Sequence, residues 1–206
     1  MRKRTKGYFF LAFLVAAGLA GTQGTDSLSK KERKFAVTHM KDTRADFLKS
    51  VKGLTDEQLN FKPAPDRWSI KECAYHIALS ENNLWQMLEG TLKAPANPEK
   101  RSEIKVSDEQ LIKMMTDRSH KVKTFEAFEP KSAKWKTLDE ALADFKGSRQ
   151  GHMSYLKSTT EDLRNHVAQT PLGWVDCYQM CLFISAHTSR HTLQINELKA
   201  DPNFPK

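Results

Sequence analysis

The sequence predicts an all-α protein, a bundle of four long helices with an additional short connecting helix, preceded by a signal peptide. Three observations predict it. Past the first residues, apolar side chains recur at spacings of three and four. Ser69 with Glu72, Ser107 with Gln110, and Thr137 with Glu140 have the spacing that caps a helix start. Alternation of period two, the mark of a half-buried strand, is missing everywhere.

The chain opens with the basic stretch MRKRTKG, continues with the apolar run YFFLAFLVAAGLA, and then turns to small residues. That is the order of a secretory leader. Gly18 and Ala20 supply a small-x-small site, so cleavage after Ala20 is expected. The apolar run is shorter than the ~20 residues of a membrane span, and an uncleaved anchor is the lesser reading. No cysteine follows it to carry a lipid. The expected organisation is leader 1–20, short linker 21–28, helical bundle 29–200 and tail 201–206. The expected destination is the periplasm or the extracellular space, with no membrane span left after cleavage.

The first helix carries Ala36, Met40, Thr43, Phe47 and Val51 inward and stops at Gly53. LTDEQLNFKPAPDRW, with Pro63 and Pro65, reads as a turn-rich connection. The second helix opens at Ser69, turns Ile70, Cys73, Ile77, Leu84 and Leu88 inward, and ends at Gly90. TLKAPANPEKRSEIK reads as a loop, followed by the shorter helix from Ser107 through Leu111, Met114 and Met115 toward Val122. After Pro130 a third long helix begins at Thr137, with Leu138, Ala141, Phe145, Ser148, His152 and Tyr155 on its stripe. QTPLGW is a turn, and the last helix runs from about Val175 to Leu198. Such helices pack as a bundle.

With 206 residues the chain can bury one core of its own. Hydrophobic residues make up 39% and charged residues 28%, the composition of a globular rather than a disordered or membrane-spanning chain. The net charge of +8 includes Arg2, Lys3, Arg4 and Lys6 of the leader; removing those four from 33 bases leaves 29 against 25 acids. Mixed charge of that size is a solvated surface and excludes a nucleic-acid footprint. The cluster Lys30, Lys31, Arg33 and Lys34 is read as solvating a helix start. Of the three cysteines, Cys177 and Cys181 share a helix, where a bridge would be strained. Export would permit a bridge from Cys73 to one of them; buried free thiols are the favoured reading.

The chemistry concentrates in SAHTSRHTLQINEL. His187 and His191, four residues apart, lie roughly 40° apart on one helical face. They fall on the inward stripe Met180, Ile184, His187, His191, Ile195 and Leu198. An unpaired buried polar group costs roughly 1–3 kcal/mol, and a metal would satisfy both rings at once. His76, between Cys73 and Ser80 on the second helix, adds a third imidazole. Three protein ligands with an open position are the arrangement of a catalytic zinc site. The expected cofactor is therefore a divalent metal ion, zinc foremost, with nickel and iron(II) also suited to imidazole. Thr188 stands where an HExxH peptidase needs its glutamate, so the peptidase reading loses its main support.

Other residues have two readings each. Glu81 is either a general base acting on water at the metal or a solvated helix residue. His152 and His39 are either a fourth ligand or proton shuttle, or core histidines. His120 and His166 read as exposed. Trp68 reads as a packing residue fixing the helix entry.

WSIKECAYHIALSE resembles the W-S-x-x-E-x-x-x-H segment of the DinB/YfiT-like family of metalloenzymes, and HTSRHTLQI resembles its closing H-x-x-R-H-x-x-Q-I. The helix order and the TPLG turn fit as well, so the resemblance spans about residues 29–200. It implies a DinB-like four-helix bundle with His76, His187 and His191 as metal ligands, and structural or outer-sphere duty for Arg190 and Gln194. Members include bacillithiol-dependent thiol S-transferases, and mycothiol-dependent isomerases share the bundle. The leader is a departure from those mostly cytoplasmic enzymes. The function expected is that of an exported metal-dependent hydrolase or thiol S-transferase acting on a small-molecule substrate, with a homodimer as the assembly. The rival is a non-catalytic bundle whose metal is structural or whose histidines are core residues.

Overall fold

The computed structural model describes residues 28–120, 123–171 and 173–206; the expected leader lies outside them. The helices are α1 (Lys30–Val51), α2 (Asp56–Asn60), α3 (Ile70–Lys93), α4 (Asp108–Thr116), α5 (Leu138–Ser158) and α6 (Cys177–Lys199). The four long ones form the bundle. α1 and α3 each pack against both α5 and α6, so α1 lies across the bundle from α3, and α4 leans on α6. No helix among the described residues is long and apolar enough to cross a membrane.

The expected caps are present, and each satisfies backbone N–H groups that the first turn leaves unpaired. At Ser69 and Ser107 the box is reciprocal with Glu72 and Gln110, while Thr137 accepts from the backbone of Glu140. The family-like Glu72 is thereby occupied: its carboxylate accepts from the Ser69 N–H and from Lys62. Ser29 with Glu32 and Thr55 with Gln58 make two further boxes. The second of these starts α2, inside what reads as a turn-rich connection. Five residues are too few to show a helical period, and only Leu59 of them is buried.

Three boundaries differ from expectation for local reasons. α3 runs past Gly90 to Lys93 and stops where Pro95 disfavours helical geometry for Ala94. α4 stops at Thr116, and Arg190 from α6 donates to the carbonyls of Met115 and Asp117 at its end. The turn before the last helix is a two-stranded antiparallel hairpin, β1 (Val167–Thr170) with β2 (Gly173–Asp176). Gly173, at φ +103°, makes its turn. Asn97 pairs with β1 through its side chain, accepting from the Val167 N–H and donating to its carbonyl. Strands of four residues are too short for alternation to be seen.

Arg164 ties three helix starts together. Its guanidinium bonds Glu32 of α1, Asp108 of α4 and Asp176, the N-cap of α6. Arg33 does more than solvate: it donates to the carbonyls of Leu156 and Thr159 at the end of α5. The tail also docks, with Phe204 edge-on to Phe61 and the Pro205 carbonyl accepting from Gln58.

The bundle interior has two apolar clusters. One gathers Met40, Trp85, Met153 and Ile184; the other gathers Phe47, Ile77, Phe145 and Ile195. Between these levels each long helix contributes a polar group: Thr43, Glu81, Arg149 and Thr188. The three cysteines are free and buried. Cys73 belongs to the second cluster and the other two to the first, so a bridge would require repacking the bundle.

Candidate metal centre

His76 reaches the centre from α3, and His187 and His191 from adjacent turns of α6. The Nε2 atom of His76 lies 3.1 Å from Nε2 of His187 and 3.1 Å from Nε2 of His191. All three donor atoms lie within 4.8 Å of one another. Two nitrogens each 2.0–2.1 Å from one ion would stand about 3.0 Å apart at a right angle and about 3.3 Å apart at a tetrahedral one. Both spacings from His76 fall between, so His76 can share an ion with either histidine of α6, and the third donor lies within reach of the same ion.

The other ring nitrogens explain the orientation. Nδ1 of His76 donates to the Phe128 carbonyl at 2.6 Å, and Nδ1 of His191 to Oε1 of Gln194 at 3.0 Å. Arg118 donates to the same oxygen, which sets the amide orientation. A ring whose Nδ1 carries the proton presents a lone pair at Nε2. His76 and His191 therefore aim lone pairs at each other across 3.1 Å, an arrangement that a cation between them makes favourable. Burial pushes His76 down to about 4, against the opposing pull of the Phe128 carbonyl. Burial, and then neighbouring imidazoles, push His187 and His191 well below the ordinary histidine value. The rings are neutral near pH 7, as metal ligands must be.

Among the described residues, no fourth His, Cys, Asp or Glu joins this group. The open side faces a cavity of about 530 Å³, which the three histidines, Trp68 and apolar side chains line. Trp68 is more than a helix-entry residue, since its ring lies 4.8 Å from that of His76 and 6.1 Å from that of His191. Gln194 orients His191, and Arg190 holds the backbone of the segment after α4, including the His120 carbonyl.

Glu81 lies elsewhere, and it is not a solvated helix residue. It is 1% exposed, both its oxygens accept from Arg149 at 2.8 and 2.6 Å, and His152 donates to one of them at 2.7 Å. It does not line the cavity. His152 stacks on Trp85 at 3.8 Å. His39 is half-buried beside Phe35, away from the cluster. His120 is exposed as expected, whereas His166 is half-buried with Nδ1 donating to the Asp162 carbonyl.

Sequence reasoning passed over Arg149, which is fully buried. Its position was readable, four after Phe145 and three before His152 on the inward stripe of α5. It also passed over the Phe128 carbonyl, a backbone atom that carries no residue-type signal.

A four-helix bundle whose second and last long helices bring three histidines to the floor of a cavity defines the class. The chain belongs to the DinB superfamily, whose family model matches residues 39–195. It is similar to the uncharacterized protein YuaE of Bacillus subtilis (strain 168), 26% identical over 166 residues that cover 77% of this chain and 93% of YuaE. Its fold is similar to the solved structure of YfiT from Bacillus subtilis, described as a probable metal-dependent hydrolase with an unusual four-helix bundle topology. That match has a TM-score of 0.57 at 17% identity and covers 85% of this chain and 90% of YfiT. At that identity the likeness shows the fold alone.

Proposed function

We propose that the protein is an exported metal-dependent hydrolase or thiol S-transferase whose His76, His187 and His191 hold a divalent ion with one position left open to substrate. The observation that carries the reading is the pair of lone pairs on His76 and His191, each enforced by an acceptor on the far side of its ring. Such an ion, zinc foremost, would act as a Lewis acid at the cavity floor and lower the pKa of a water or thiol brought there.

The chain's own residues supply the rest. Phe128 and Gln194 hold the tautomers, and Trp68 walls the centre. Glu81 enters as a positioning residue, because both its oxygens are taken. Through Arg149 it holds Thr188, the neighbour of His187.

Four further supports bear on the reading. The description of YfiT supports the hydrolase alternative, and the resemblance to bacillithiol-dependent enzymes supports the transferase one. The basic-apolar-small order of residues 1–20 supports export. A cavity of this volume falls in the range of small-molecule sites.

The test is metal analysis of untagged protein, followed by ester-hydrolysis and thiol-transfer assays. About one ion per chain is expected, with turnover that chelation abolishes and zinc restores. Protein that carries no ion, or whose turnover ignores chelator, would overturn the reading.

A further inference from the structure

Large apolar side chains are rarely left in water without a reason when they cluster. Among the described residues five are exposed, and three of these, Met87, Met114 and Phe125, line the one cavity above the histidines. They are 47%, 52% and 66% exposed. They come from α3, from α4 and from the loop that leads to Phe128. No single helix face accounts for them. The cavity is the feature they share. Deeper in, Leu84, Met180 and Phe183 continue the same apolar wall toward His187.

Of the charged groups that line this cavity, Arg190 and Arg118 are already engaged, whereas Asp66 and Arg67, next to Trp68, have no side-chain partner among the described residues. Arg190 gives its guanidinium to three backbone carbonyls. Arg118 is held by both oxygens of Glu197, at 2.6 and 2.7 Å. Neither is free to receive the carboxylates or phosphates of a strongly polar substrate. Thioether side chains, by contrast, adapt to hydrocarbon of varied shape.

We infer that the cavity is a binding site for an acyl or alkyl chain of medium length, carried on a small molecule whose polar head lies at the histidines. The position of the head rests on the metal reading above. The chain site does not, since it stands on Met87, Met114, Phe125 and the wall behind them.

The test uses the full chain, zinc-loaded and metal-free, with acetohydroxamate, butanohydroxamate and octanohydroxamate as probes, read by titration calorimetry. Each buried methylene should tighten binding about fourfold, the factor for about 0.8 kcal/mol. With part of the chain left near the rim, octanohydroxamate should bind at least 100-fold tighter than acetohydroxamate. The gradient should survive removal of zinc. Met114→Lys and Phe125→Lys alter exposed side chains and leave the fold intact. They should weaken octanohydroxamate at least tenfold and leave acetohydroxamate unchanged. A flat series, or a gradient that neither variant alters, would overturn the chain site. A flat series with zinc-dependent binding overturns the chain site alone. A steep series that zinc does not strengthen overturns the metal reading alone.

Discussion

Arg149 and Glu81 form a two-bonded ion pair at the centre of the bundle, with neither side chain exposed. The remaining guanidinium N–H groups donate to the Met40 carbonyl, Thr43 and Thr188, so all five donors are used. Helices α1, α3, α5 and α6 thus meet at one side chain. Removing one partner of such a pair leaves a buried charge uncompensated and costs about 3–5 kcal/mol. Arg149→Met should therefore lower the thermal midpoint by roughly 10 °C. The double variant Arg149→Met, Glu81→Met should recover most of the loss. A single variant as stable as the parent would show that the pair carries no such role.

The same pair sets a pH dependence. Burial alone would raise the Glu81 carboxyl, but the charge of Arg149 and the hydrogen bonds from His152 and Arg149 outweigh it and hold it below its ordinary value. A carboxyl depressed in the folded state contributes stability that is present above its unfolded value, about 4.3, and is lost as pH falls toward the folded one. The urea midpoint of the parent should fall as pH drops below about 5. The double variant should fall less steeply over the same range, and equal slopes would remove Glu81 from the account.

Metal and stability are linked, because the unfolded chain has no preformed site. At free zinc 100 times its dissociation constant the gain is about 2.7 kcal/mol. His187→Ala should cut metal content and abolish most of that gain, while chelator should bring the parent down to the level of the variant. An unchanged midpoint after chelation of protein shown to carry zinc would sink the linkage.

A site with three protein ligands keeps a place for a fourth. In cobalt-substituted protein the visible spectrum should shift on adding azide or a small thiol, with the fold unchanged by circular dichroism. A spectrum of four protein ligands that ignores both additions would make the metal a staple between α3 and α6 rather than a catalyst.

The thiols should be inert. Burial pushes Cys73 and Cys177 up to about 12, and Cys181 well above its ordinary value, so thiolate is scarce at neutral pH. Iodoacetamide at pH 7.5 should leave all three unmodified in folded protein and label them once urea unfolds it. Rapid labelling of the folded chain would contradict the buried placement.

Much of this protein could be read locally. Capping needs groups three residues apart, so Ser69, Ser107 and Thr137 announce α3, α4 and α5 without reference to the rest of the chain. Residues four apart share a helical face, so His187 and His191 announce a paired site on the inward stripe of α6. The helix period of the segment from Trp68 to Glu81 sets His76 on the inward face of α3.

What depends on distant residues could not be read this way. Glu81 meets Arg149 68 positions away, and only the packing of α3 on α5 decides that its oxygens are filled. The hairpin exists because Asn97 and β2 pair with β1, not because strands of four residues show a pattern. The tautomer of His76 is set by a carbonyl 52 positions on, and the cavity by where α4 and the Phe125 loop come to rest. The sequence by itself determined the four long helices and α4, their inward faces, the caps at Ser69, Ser107 and Thr137, and the histidines offered to a metal, because those follow from backbone periodicity and local spacing. Tertiary packing alone decided which way each imidazole points, that the Glu81 carboxylate is filled and what the open side faces, because those depend on atoms that meet only when the bundle closes.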